Sequence, residues 1–122
     1  CPAFGLDEGA RMNWMPLRER LQSVLGRMPD VYAYTTYDAL WVLMRTSRSA
    51  GKNATVTNFK STLVAEAANY FGVSGNTRLD SCGDRESGNY DFWAIKSDTS
   101  GYKWKCIARY NSLTGSIIRQ VK

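Results

Sequence analysis

Three carboxylates, Asp80, Asp84 and Glu86, crowd one short turn-rich segment of this 122-residue chain and are its nearest approach to a chemical centre. Oxygen ligands grouped in this way suit a hard cation. Their spacing, however, is not that of a calcium-binding loop, and the neighbouring Arg78 and Arg85 would repel a cation. They read instead as turn formers and solvated charges. The chain holds no histidine, which removes Ser-His and Cys-His nucleophiles, imidazole acid–base chemistry and histidine-ligated metals. Cys1, Cys82 and Cys106 form no C-x-x-C pair, and they fit either one disulfide with a free thiol or three reduced thiols. Gly72, Gly75 and Gly83 fall between a helix and a hairpin and not between a strand and a helix, so they cradle no phosphate. The expectation is a protein without catalytic residues, metal or cofactor, and hence not an enzyme.

Composition bounds what else the chain can be. Hydrophobic residues at 43% and charged residues at 22% are ordinary for a folded globular chain and argue against disorder. The net charge of +5, from sixteen basic and eleven acidic residues, would permit an anionic partner. A freestanding basic α+β module binding nucleic acid is therefore the alternative reading. In the segment from Tyr102, however, Tyr102, Trp104 and Tyr110 alternate with Lys103, Lys105 and Arg109. On a strand this sends the aromatics and Cys106 to one face and the charges to the other. That describes a half-buried strand with a basic outer face and not a stacking platform, so nucleic acid is not expected. The longest strongly apolar run, Ala39 to Met44, is far short of the roughly 20 residues of a membrane span, and no insertion is expected. The chain opens Cys1-Pro-Ala-Phe4 without a basic-then-apolar leader, which reads as a segment boundary.

The elements that must position any site run helices first, then strands. Trp14, Leu17, Leu21, Val24 and Leu25 recur at helical spacing, with Pro16 suited to a first turn and Gly26 to a stop. A second helix is predicted from about Thr36 to Ser47, capped by Thr35 or Thr36, with Asp38 favouring its positive end. Tyr37, Leu40, Trp41 and Met44 would line its buried stripe, and Val42 and Leu43 would widen it. Asn53-Ala-Thr55 is a glycosylation sequon whose weight here is only to place the connector on the surface. A third helix follows from about Thr57 to Asn69, turning Phe59, Leu63, Val64 and Ala67 inward. Strands are expected at Thr77–Asp80, Tyr90–Lys96, Tyr102–Tyr110 and Ser116–Gln120. The fold class predicted is α+β, as a single compact unit over 1–122.

Two stretches carry more information together than any motif alone. One is Pro29-Asp-Val-Tyr-Ala-Tyr-Thr-Thr-Tyr-Asp-Ala-Leu40. The other is Phe71-Gly-Val-Ser-Gly-Asn-Thr-Arg-Leu-Asp80, followed by Gly83-Asp84 and Tyr90-Asp-Phe-Trp-Ala-Ile95. In this order, over about Leu17 to Ser116, they resemble the type I periplasmic solute-binding proteins, especially the leucine/isoleucine/valine-binding branch that serves ABC transporters. Ser81-Cys82 and Arg85–Asn89 depart from the family pattern, and the family's chain is much longer. The resemblance implies the C-terminal part of a two-lobed trap, with segments of both lobes and the Tyr90 strand as the last crossover. It also implies an extracytoplasmic location and the binding of an amino acid or related solute, with an ABC transporter permease as partner. The start of the Tyr-Asp-Ala helix would face the ligand cleft. Tyr32 is then an aromatic wall for the ligand, joined by Tyr34 and Thr35, while the residues gripping the ligand's charged ends would lie upstream of Cys1. Apolar surface left uncovered, chiefly on the second helix, would favour a homodimer of the chain.

Overall fold

The computed structural model describes residues 2–119, with the Pro2 and Ala3 side chains outside that description. Strand β1 (Pro2–Gly5) leads through a 3-10 turn at Glu8–Ala10 into α1 (Arg11–Leu25). Helices α2 (Val31–Ala50) and α3 (Val56–Ala68) follow. A two-residue hairpin, β2 (Phe71–Gly72) and β3 (Gly75–Asn76), precedes the long strands β4 (Asn89–Asp98) and β5 (Gly101–Asn111) and the short β6 (Ser116–Arg119). The larger sheet is antiparallel in the order β1-β4-β5-β6. The chain is an α+β fold of three helices followed by antiparallel strands. Among the described residues no helix is long and apolar enough to cross a membrane.

Helix α1 begins earlier than its apolar spacing predicts because an anchor precedes it. The Asp7 side chain accepts from the Gly9 amide at 2.8 Å and caps the 3-10 turn, while the buried Trp14 indole donates to the Asp7 carbonyl at 3.0 Å. Pro16 therefore sits inside the helix and not in its first turn, where its missing N–H removes the donor for the Met12 carbonyl four residues back. The predicted stop is observed: Gly26, at a left-handed φ of 67°, donates its amide to the Gln22 carbonyl at 3.0 Å.

Helix α2 also starts one turn and more before the predicted Thr36. Its cap is Asp30, whose carboxylate accepts from the Ala33 amide at 3.1 Å, and not Thr35 or Thr36. The predicted buried stripe is displaced too. Tyr34, Asp38, Val42 and Thr46 are buried at i, i+4 spacing, whereas Tyr37, Leu40, Trp41 and Met44 are exposed. Two polar residues occupy the inner stripe because each is satisfied on the spot. Thr46 Oγ1 donates to the Val42 carbonyl at 2.8 Å, and Asp38 holds the β2–β3 hairpin. Asp38 is thus a mid-helix anchor and not a charge at the helix start.

Helix α3 is capped by Thr55, which accepts from the Asn58 amide at 3.2 Å. It is tied to α2 through Glu66, which accepts from Arg45 at 2.8 Å and from Ser49 at 2.6 Å. Of its predicted inner face, Ala67 is buried, Phe59 and Leu63 are half-buried, and Val64 is exposed. The Thr77 hydroxyl lies 2.7 Å from the Ala67 carbonyl and 2.8 Å from that of Tyr70, closing the helix's last turn. No strand forms at Thr77–Asp80. The threonine is spent on that closure, and only Leu79 bridges to Arg85. The small apolar core gathers Ala10, Trp14, Tyr34 and Val73.

The β4–β5 pairing corrects the reading of its faces. Trp93 opposes Cys106, but Phe92 opposes Ala108, so Ile107 is an extra residue in β5. Tyr102, Trp104 and Cys106 share a face as expected, but beyond the bulge Arg109 joins them and Tyr110 moves to the face of Lys103 and Lys105. Nor is the aromatic face half-buried near the hairpin tip: Tyr102 is 82% and Trp104 58% exposed, because β1 and β6 pair only with the other end of the ribbon. Cys82 is exposed and Cys106 half-buried, both as free thiols, while Cys1 and Gln120 lie outside the described residues.

Candidate ligand-binding cleft

The two stretches singled out in the sequence meet at one carboxylate. Asp38 of α2 accepts from the amides of Val73 and Ser74 at 2.8 and 2.7 Å and from the Ser74 hydroxyl. Ser74 in turn is gripped by Arg85: Nη1 donates to Ser74 Oγ at 3.0 Å, Nη2 to its carbonyl at 3.1 Å, and Nε to the Asn76 carbonyl at 2.6 Å. The guanidinium also lies 5.0 Å from the centroid of the Phe4 ring. A negative charge, a serine and a positive charge thus run inward from helix to loop, and the buried polar atoms of the hairpin are all satisfied. The inward position lowers the Arg85 pKa by desolvation, against which Asp38 and Asp7 act.

Arg85 was expected among residues foreign to the family pattern, as a charge repelling any cation. It instead pins the loop to the hairpin, and its position directly after Gly83-Asp84 was the signal available. Asp80 is a turn former, accepting from the Cys82 and Asp84 amides at 2.8 and 2.9 Å. Glu86 pairs with Arg78 at 3.4 Å. The three carboxylates do not converge.

Because α2 starts at Val31, Tyr32, Tyr34 and Thr35 are helical residues and point in different directions. Tyr32, 74% exposed, and Thr35, whose hydroxyl donates to the Tyr32 carbonyl at 3.1 Å, line a cavity of about 540 Å³. Its remaining wall is largely apolar, from Val42 and Leu43 of α2 and Leu63 of α3, with Arg85 and Tyr90 across from them. Tyr34 faces the other way. It is buried in the core, and it touches a second cavity of about 530 Å³ between α1, the start of α2 and the β4–β5 ribbon. Burial raises the Tyr34 pKa, with Arg18 acting against the rise. Val31 and Phe4 line both cavities and form the partition between them. The structure therefore brings Tyr32 and Thr35 together and separates Tyr34 from them. Each cavity has the size of a small-molecule site. Sequence reasoning missed Phe4, Arg18 and Asp91, which reach these cavities only because β1 pairs with β4 and because α1 and the ribbon face one another across the second cavity.

A family model described as the receptor family ligand binding region matches residues 8–98. An uncharacterized protein of Methanocaldococcus jannaschii is 32% identical over 100 residues, an alignment that covers 73% of this chain. The chain spans 23% of that relative's length. The match takes in the Tyr-Asp-Ala helix, the hairpin it holds and the strand that follows. The chain belongs to the receptor family ligand-binding region, a family of type I periplasmic-binding-protein folds.

Proposed function

We propose that this chain forms one wall of an extracytoplasmic solute-binding domain of the leucine/isoleucine/valine-binding type, and that the parent protein captures an amino acid or related small solute without catalysis. The chain then holds segments of both lobes, and an ABC transporter permease or a sensor reads their closure. The observation that carries this reading is the pairing of Tyr32 and Thr35 at the start of α2 on the wall of the larger cavity. An exposed ring beside an apolar concavity is suited to stacking on a ligand, at about 1 kcal/mol beyond the area it covers. Membership of a ligand-binding family supports the coarser half of the proposal.

The test is calorimetric titration of the full-length parent polypeptide with a panel of amino acids and aromatic acids. At least one solute should bind, and Tyr32→Ala should weaken it several-fold, consistent with the loss of roughly 1 kcal/mol. No heat from any member of the panel, or an affinity indifferent to Tyr32→Ala, would count against it.

A further inference from the structure

The far half of the β4–β5 hairpin projects as a ribbon only two strands wide. β1 pairs with residues 89–92 and β6 with residues 108–111, and among the described residues no other strand flanks 93–98 or 101–107. Cross-strand pairing sorts the projecting side chains onto two faces. Ile95 stands opposite Trp104, and Ser97 opposite Tyr102, on one face. Ile95, Tyr102 and Trp104 are all open to water. The other face sets Lys96 directly opposite Lys103, with Lys105 opposite Ala94 beside them. Like charges directly across a strand pair repel. Lys103 meets Asp98 at 3.6 Å, but among the described residues Lys96 and Lys105 have no carboxylate within ion-pair distance. The projection therefore joins an uncovered aromatic face to a surplus of positive charge, and an anionic partner complements it.

Segregation of the two faces chooses between anionic partners. A nucleic-acid strand needs its bases stacked and its phosphates neutralised along one surface. The cation that the bulge at Ile107 turns onto the aromatic face is Arg109, and it is already held by Asp91 at 3.1 Å and Glu8 at 3.4 Å. A lipid surface suits the arrangement better. Tyrosine and tryptophan rings settle at the headgroup level of a bilayer, apolar body inward and polar tip outward. On a broad sheet, lysines of the far face would be held away from the lipid. On a ribbon two strands wide each lysine stands at an open edge, and its flexible stem reaches around that edge to the phosphates. We propose that the projecting β4–β5 hairpin docks on an anionic bilayer, with Ile95, Tyr102 and Trp104 in the headgroup layer and Lys96, Lys103 and Lys105 on lipid phosphates. The docking is peripheral and crosses nothing. None of these six side chains lines either of the two larger cavities, so the inference does not rest on the solute-binding reading.

The experiment is co-sedimentation of the 122-residue chain with two kinds of vesicle, phosphatidylcholine alone and phosphatidylcholine mixed equally with phosphatidylglycerol. The mixed vesicles should bind the chain about tenfold more strongly, and the difference should shrink as salt rises. Tyr102→Ala with Trp104→Ala should weaken binding to the mixed vesicles about tenfold. Lys96→Gln with Lys105→Gln should abolish the preference for them. All four positions are exposed, and circular dichroism should be unchanged. Leu40→Lys with Met44→Glu, on the open strip of α2, should leave vesicle binding as it was. Brominated lipid should quench the tryptophan emission, and Trp104→Phe should remove most of that quenching. This last variant keeps a ring at the site, so it decides the matter if the alanine pair fails to fold. No binding, equal binding to both vesicles, binding that survives both hairpin substitutions or quenching indifferent to Trp104→Phe would overturn the proposal. So would an oligothymidylate that binds the chain and displaces it from vesicles, which would make the partner a nucleic acid.

Discussion

The carboxylate of Asp38 occupies the space that any side chain at Gly72 would need: a Cβ built there overlaps the carboxyl group itself. The two residues lie far apart in sequence, and the hairpin's approach to α2 depends on both. Gly72→Ala should destabilise the chain by about 3 kcal/mol through overpacking. Asp38→Ala should cost a similar amount, about 3 kcal/mol, by leaving two buried amides without an acceptor. In the double variant the overlap has no carboxylate to meet, so the combined loss should fall well short of the sum. Urea unfolding of the four proteins measures this, and strict additivity would refute the contact.

Tyr70 reports on the same anchor. Burial first, and then the negative charge of Asp38, push its pKa up to about 12. A folded-state pKa above the unfolded value of 10.0 means that the stability it contributes is intact below about pH 10 and is lost as the pH rises through about 12. Spectrophotometric titration of the seven tyrosines should show a late step that Tyr70→Phe removes and Asp38→Asn moves to lower pH. A titration complete by pH 11, with no such step, would show that the phenol is not held as described.

The true start of α2 can be tested at its caps. Asp30→Ala removes the acceptor for the Ala33 amide and should cost about 1 kcal/mol, whereas Thr36→Ala, on an exposed helical position, should change stability by less than about 0.5 kcal/mol. The reverse order would restore the shorter helix expected from sequence.

Leu40, Trp41 and Met44 leave an apolar strip along α2 open to water. Such a strip favours association, so sedimentation velocity should show a mass that grows with concentration. Leu40→Lys with Met44→Glu should return the chain to a monomer without changing its circular dichroism. A wild-type chain that stays monomeric across the millimolar range would dismiss the idea.

How much of this was legible in the sequence differs from element to element. The three helices announced themselves through apolar spacing, and Gly26 was read correctly as a stop because a left-handed terminus needs no Cβ. The inner face of α2 was not legible. Periodicity weighs hydrophobicity, and the residues that turn inward include Asp38 and Thr46, whose polarity is cancelled by partners that only folding supplies. The family resemblance rested on Tyr37-Asp38-Ala39 and Phe71–Gly75, and the fold explains why they travel together: one anchors the other. The cleft was half legible. Tyr32 and Thr35 do share a cavity wall, but a helix starting at Val31 rotates Tyr34 away from them, and the start was misplaced because Thr35 or Thr36, and not Asp30, was read as the cap. Arg18 and Asp91 are brought to one cavity by contacts distant in sequence, which no local pattern encodes.

The extra residue at Ile107 sets the parity of everything that follows it in β5. Deleting it would remove the bulge and leave the pairing as it is, Cys106 with Trp93, Ala108 with Phe92 and Arg109 with Asp91. A strand that kept Ile107 in regular alternation would instead set Ile107 against Phe92 and Ala108 against Asp91, and Arg109 would leave Asp91 and Glu8 for the opposite face. The charge of the second cavity is thus set by a residue that does not line it.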